Sequence, residues 1–448
     1  MRHDVWLKRE MAQWEREGIA DAATLARIAA RYETRRNGLS IGQIIFSTLG
    51  ALLIGLGVIA LLAHNWQSFG RPMRTFLSFL PLVLCAGGYL LGQLGRKPFG
   101  RGYHEALGIF WTCAVGASIA LVAQTYHISG DPQRFVLVWG LLTLPILYGT
   151  RALGSMVAYF VLMVVWTGME QDAGGVGCFF WLLALPAVPL VVTEWRESGP
   201  VRRAWLGWTL GITLLTALGI ALERCLPGLW IIIYSGLFAA LFFFGLAREE
   251  DEVSGSYLLR PGFLLGALGL WVLSFALTFD DCWEQAFRVS CYRNDMRYHA
   301  WAGWAHDVVL AVAAPLTAVA LAVFARRRGK LPICGWAWGA LPIMAVALAG
   351  AAAAMSEWDW EEPAAFAMLL FFAVCGLVTL IDGIRSSALA KINIGTVTIL
   401  AAILRKFLSD DWSFVTKGVV FILCGIVFLV VNGICSRKLR QTGRAAHE

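Results

Sequence analysis

Long apolar runs recur along the chain from residue 44 to residue 436, separated by short polar or basic breaks. A bilayer core about 30 Å thick is crossed by about 20 helical residues, and shorter runs suffice where a helix is buried in a bundle. That template predicts fourteen spans, near 44–63, 75–94, 106–124, 135–149, 152–168, 176–193, 204–222, 229–247, 262–279, 307–325, 335–354, 364–382, 392–405 and 416–436. The runs at 152–168 and 392–405 are the shortest, and losing either would reverse the direction of every later span. The expected fold is all-α: a polytopic transmembrane bundle of about 14 spans. Prolines fall inside several runs, at Pro81, Pro145, Pro186, Pro189, Pro315 and Pro342, where broken helices are expected.

Residues 1–40 have a different pattern. Val5, Trp6, Met11 and Trp14 form one apolar stripe and Leu25, Ile28 and Tyr32 another, with Gly18 and Asp21 as stop and N-cap between them. This predicts a short N-terminal helical hairpin, resting on the membrane surface or recruiting a cytoplasmic partner. The expected organisation is that hairpin over 1–40, a membrane domain over 41–436 and a basic tail over 437–448. The first 40 residues lack the apolar core of a cleavable signal, so the N-terminus is expected to be retained.

Composition agrees with the pattern. The chain of 448 residues is 58% hydrophobic and 15% charged, with a mean hydropathy of +0.66, which excludes an ordinary soluble domain. The net charge of +7 reads as an orientation signal and not as a nucleic-acid footprint. With the N-terminus inside, 27 of the 37 Lys and Arg residues fall on the inner side of the fourteen-span layout and 10 on the outer side. Both termini are therefore expected in the cytoplasm. Several of the twenty tryptophans, among them Trp66, Trp166, Trp230, Trp358, Trp360 and Trp412, sit at run ends, as an interfacial aromatic belt requires.

Candidate chemistry is concentrated at two outer edges. Gly50, Leu53, Gly57, Ala60 and His64 share helical spacing in the first span, as do Thr112, Gly116, Ala120 and Gln124 in the third. Small residues at i, i+4 allow close helix approach, so His64 and Gln124 are expected to point into the bundle. His64, Asn65, Gln124, Tyr126, His127 and Asp131 then gather at neighbouring helix ends. Three readings stay open: caps that tie helix ends, a ligand- or proton-handling site built on histidine and carboxylate, and a metal or haem site using the two histidines. No Cys-x-x-Cys or His-Glu-x-x-His spacing occurs, and no metal or cofactor is expected.

Cys282 and Cys291 share the longest outer connection, 280–306. They read either as a disulfide, worth roughly 2.5 kcal/mol on the loop-entropy model, or as two thiols. Glu223–Arg224, Arg405–Lys406 with Asp410–Asp411, and Asp382 read as interfacial charges or ion pairs. No span carries Asp, Glu, Lys or Arg near its midpoint, which weighs against proton-coupled transport and leaves a carrier of an apolar or lipid-linked solute open.

Two stretches, Gly50-Ala51-Leu52-Leu53-Ile54-Gly55-Leu56-Gly57-Val58-Ile59 running into Ala63-His64-Asn65-Trp66, and Ala123-Gln124-Thr125-Tyr126-His127-Ile128-Ser129-Gly130-Asp131-Pro132, carry a family resemblance. The chain resembles there the bacterial membrane protein family called domain of unknown function 2157, over roughly residues 5–150. Asn393-Ile394-Gly395 and the last span with Asn432 are similar to the C-terminal halves of such proteins. The resemblance implies a membrane protein and brings no activity with it. The functions left to weigh are a ligand- or proton-handling protein acting on an envelope or lipid-linked substrate, a structural or sensory scaffold, and a carrier.

Overall fold

The computed structural model describes residues 66–94, 100–175, 177–222, 228–247, 257–287, 301–354 and 360–409, with isolated positions between 11 and 25 and between 418 and 426. Apart from those positions, the predicted hairpin, the predicted spans 44–63 and 416–436 and the basic tail lie outside the described residues. The chain divides into two compact units, Met1–Leu77 and Ser78–Glu448. In the first, the described part is a 3-10 turn at Trp66–Ser68 and the opening turns of helix α1, Arg71–Leu94.

The second unit is helical throughout its described residues. Helix α1 runs on into it and is followed by α2 (Arg101–Tyr126), α3 (Pro132–Thr150), α4 (Leu153–Asp172) and the helical segment α5 (Gly177–Glu197). Next come α6 (Pro200–Ala221), α7 (Leu229–Ala247), α8 (Pro261–Ala276), α9 (Asp280–Phe287) and α10 (Trp301–Arg327). The series continues with α11 (Ile333–Gly339), α12 (Leu341–Ala354), α13 (Glu361–Arg385) and α14 (Leu389–Ser409).

Among the described residues nine helices are long and apolar enough to cross a membrane, or ten if the bent pair α8–α9 is one span. That is fewer than the fourteen expected. Two expected spans lie outside the described residues, and α3 and α14 are helices of 19 and 21 residues that fall outside the nine. The run at 152–168 is the 20-residue α4, lengthened at its C-terminal end by Met169 to Asp172.

The prolines act differently from one another. Pro81, Pro145 and Pro315 lie inside continuous helices. In α5, Pro186 and Pro189 remove two backbone donors, and the segment tightens into a 3-10 turn at Leu185–Ala187. Pro342 follows the break between α11 and α12. The expected outer loop at 280–306 instead begins as helix: α9 turns away from α8 by 93°. Its Trp283 is fully buried, and the indole Nε1–H donates to the Leu277 carbonyl at 2.8 Å.

Helix α7 is apolar on all sides, so it can be buried on all sides. It packs most extensively on α10 and also on α8 and α12. One core cluster joins residues of α7 to α14, including Phe242, Leu270, Trp338 and Phe372; a second joins α3 to α7, including Leu147, Tyr159, Phe180 and Leu206. Gly236 permits the α7–α10 approach: a Cβ there would lie 2.6 Å from the Pro315 nitrogen and 2.7 Å from the Ala314 carbonyl carbon. Trp166, expected in an interfacial belt, is buried instead beside Val136 and Leu162, because α4 extends past it.

Helix ends meet as alternate crossing demands. Gln133 at the start of α3 donates to Glu170 at the end of α4, Lys391 at the start of α14 binds Asp382 at the end of α13 (2.8 Å), and Arg328 after α10 reaches the Ala247 carbonyl ending α7 (3.3 Å). Followed along the chain, these contacts sort the ends into two faces. One holds the starts of α2, α4 and α6; the other holds the α2–α3 connection and the starts of α5 and α10.

Candidate functional site

The α2–α3 connection contains the described members of the predicted constellation, and helix capping accounts for two of them. His127 closes α2 in the left-handed conformation (φ 50°, ψ 41°), and the amides of His127 and Ile128 both bond the Ala123 carbonyl. The 128-to-123 bond is the signature of a Schellman end, normally completed by glycine. Asp131 caps α3: its Oδ1 accepts from the Gln133 amide at 3.1 Å, and Pro132 occupies the first helical position, where a missing N–H costs nothing. His127, Tyr126, Gln124 and Asp131 are all exposed, and His64 and Asn65 lie outside the described residues.

The expectation that Gln124 faces inward is overturned. Thr112 and Gly116 are buried, but Ala120 and Gln124 are exposed, and the buried face of α2 runs instead through Gly108, Thr112, Val115, Ser118 and Thr125. At about 100° per residue each i+4 step gains about 40°, so three such steps carry Gln124 about 120° round from Thr112. Alternating steps of three and four hold the face. Ser118 Oγ donates to the Ser78 carbonyl (2.6 Å), and Trp139 Nε1 donates to the Thr112 carbonyl (2.8 Å).

The opposite face holds a charge network that sequence reasoning missed. Arg202, near the start of α6, donates through Nε to Glu194 Oε2 (2.8 Å) and through its terminal nitrogens to Glu105 and to the Arg151 carbonyl. Glu194, with 3% of its side chain exposed, also accepts from Ser198 Oγ (3.0 Å) and Arg101 (3.4 Å) through the same oxygen. Glu105 Oε2 accepts the Leu153 amide at 2.7 Å and so caps α4 from another helix. Arg151, itself left-handed at φ 51°, pairs with Glu197 (2.9 Å). One guanidinium thus fastens α2, α4, α5 and α6 at their ends. The signal in the sequence was Glu194 and Arg202 flanking the Ser198-Gly199-Pro200 break.

On the face of the α2–α3 connection, His306 and Asp307 stand in the second turn of α10. His306 Nδ1 is 2.9 Å from Asp307 Oδ1, and its Nε2 accepts the indole N–H of Trp181 in α5 at 2.9 Å. Indole can only donate, so Nε2 is unprotonated and Nδ1 carries the hydrogen bonded to the carboxylate. Both side chains are close to buried. This pair was hidden in the sequence because the span was read from 307, which left His306 in a loop; an adjacent His-Asp at the head of an apolar run was the available signal. Among the described residues no three His, Cys, Asp or Glu side chains gather as metal ligands.

Asp382 is an ion-pair member, as read from the sequence, with Lys391 as its partner. Arg405 pairs with Asp280 (3.4 Å) and lies over the Phe279 ring (4.3 Å), whereas Asp410 and Asp411 lie outside the described residues. Cys282 is a free thiol on α9, and Cys291 lies outside the described residues.

Apolar helices joined end to end, with charge confined to their ends, define a polytopic helical membrane protein. Residues 12–156 match the family model described as predicted membrane protein, domain of unknown function 2157. No curated protein and no solved structure matches the chain. The matched stretch takes in the α2–α3 connection, Arg101, Glu105 and Arg151, and stops before Glu194, Arg202 and His306.

Proposed function

We propose that this protein acts at the periplasmic face of the bacterial inner membrane, binding a ligand or handling a proton there, and does not couple an ion gradient to transport. The observation that carries the reading is where ionisable side chains stand. In the described helices Asp, Glu, Lys and Arg occupy the terminal turns, and mid-helix polar groups are mainly hydroxyls bonded to their own helix, as with Thr143, Thr167, Thr213 and Ser274. A coupled carrier needs titratable groups near mid-membrane, and the helix breaks at Leu185–Ala187 and Ala340 carry none. The excess of Lys and Arg on one side of the layout supports a cytoplasmic Arg101–Arg202 face, with His127 and His306 on the other side. A substrate of the envelope, lipid-linked or free, is what such a face meets.

The test is complementation of a deletion strain by His64→Ala, His127→Ala and His306→Ala variants at native expression. Loss of the wild-type phenotype or altered lipid-linked pools is expected for at least one. If all three restore both, the site reading fails. The caps made by His127 and Asp131 favour a second reading, a scaffold in which the outer connections only tie helices and residues 1–40 recruit a cytoplasmic partner. Deleting residues 1–38 separates the two: a scaffold loses its function with the membrane domain still folded.

A further inference from the structure

We propose that His306 is a proton-operated latch between α5 and α10, closed when its imidazole is neutral and opened when it is protonated. The geometry leaves the ring one tautomer. Nδ1–H is taken by Asp307, and Nε2 must offer a lone pair, because the Trp181 indole has a hydrogen to give and no lone pair to accept with. A proton arriving from the periplasm binds the only ring position able to take it, Nε2. The imidazolium then sets an N–H against the N–H of Trp181, and that contact is lost. The Asp307 contact meanwhile gains from the new positive charge. The same proton strengthens one neighbour and expels the other, so the two states differ in structure as well as charge.

The neighbours suit this role. On its own helix His306 faces Asp307; across the contact stands Trp181, with Cys178 in the 3-10 turn just before it. The first turns of α7, packed along α10, carry no charged residue, and their Tyr234 hydroxyl is committed to the Leu215 carbonyl at 2.8 Å. Among the described residues Asp307 is thus the charge that faces the ring. Trp181 closely follows the 3-10 turn Gly177–Phe179 that opens α5, and the residue is 37% exposed, so it has room to leave the histidine. Histidine is the side chain whose change of charge lies nearest neutral pH, which makes it the residue type suited to a proton-operated contact.

The latch shares its face with the activity proposed above but is read without it. The experiment follows the indole ¹H–¹⁵N resonance of Trp181, assigned by Trp181→Phe, in the full chain in nanodiscs from pH 4.5 to 8.5. A single transition is expected, with the resonance moving toward that of a non-bonded indole at low pH. His306→Gln, which offers an acceptor without titrating, should leave the resonance flat. Histidine ring ¹⁵N shifts of the unmutated protein give a second reading that needs no variant: Nε2 unprotonated at pH 8. A Trp181 resonance that ignores pH, a transition that survives in His306→Gln, or a protonated Nε2 at pH 8 overturns the latch. Any of these leaves the complementation result to decide the wider reading by itself.

Discussion

Arg202→Met removes the one side chain that bonds two carboxylates and a carbonyl, and its cost follows from what remains. Glu194, 3% exposed, keeps only Ser198 Oγ and the outer Arg101 at 3.4 Å, while Glu105 retains the Leu153 amide. Stranding a buried carboxylate in this way costs about 3–5 kcal/mol, whereas replacing the whole pair by apolar side chains of similar volume is close to neutral. Arg202→Met should therefore lose about 3–5 kcal/mol, and Arg202→Met with Glu194→Met should recover at least about 2 kcal/mol of it. Arg202→Lys should fall between, since one ammonium on a flexible stem cannot hold the fork that joins Glu194, Glu105 and the Arg151 carbonyl. Reversible unfolding in mixed micelles, followed by far-ultraviolet circular dichroism, measures all three. Arg202→Met within about 1 kcal/mol of the unmutated chain, or a double variant as unstable as the sum of the singles, would refute the claim that this network holds the four helices.

Three further outcomes are expected. His127→Gly should raise stability by about 1 kcal/mol, because glycine occupies the left-handed position without the Cβ penalty, and Asp131→Ala should lower it by about 1 kcal/mol through loss of the cap; thermal unfolding of the purified variants checks both. Gly236→Ala should cost about 2 kcal/mol through collision with the backbone of Ala314–Pro315, and Gly140→Ala, with nothing within 4 Å of the new Cβ, should be neutral or mildly stabilising; resistance to detergent-induced unfolding ranks them. Trp283→Ala should cost about 3–5 kcal/mol and Trp283→Phe about 1 kcal/mol, the smaller loss being the bond to the Leu277 carbonyl; protease protection of the Asp280–Phe287 segment reports the difference.

Much of the helix layout was legible because transmembrane helices are written as apolar runs of a length set by the bilayer. Even the shortest runs, at 152–168 and 392–405, coincide with helices. What the runs do not encode is where a helix stops once polar residues are buried by neighbours, which is why α4 passes Trp166 and α10 begins before His306. The site was less legible. Gln124 was misjudged because equal i+4 steps drift around a helix of 3.6 residues per turn. The cap residues His127 and Asp131 carry the same letters that a proton-handling site would use, and only backbone angles separate the two meanings. Glu105 is brought to Glu194 and Arg202 by tertiary packing over a separation of 97 residues from Arg202 that no local pattern records, and His306 reaches Trp181 across 125.

The bend after Ala276 has a consequence for the bilayer itself. Sixteen residues of α8 rise about 24 Å, some 6 Å short of a typical hydrocarbon core. Hydrophobic mismatch of this kind is relieved by thinning lipid or by covering the shortfall with protein. Here α9 lies across the end of α8, its acidic first turn beside the bend and Trp283 sealing the break, while short-range bonds from Leu277, Thr278 and Phe279 engage backbone groups that lipid could not satisfy. The 16-residue α8 therefore offers a shorter apolar wall than the 27-residue α10.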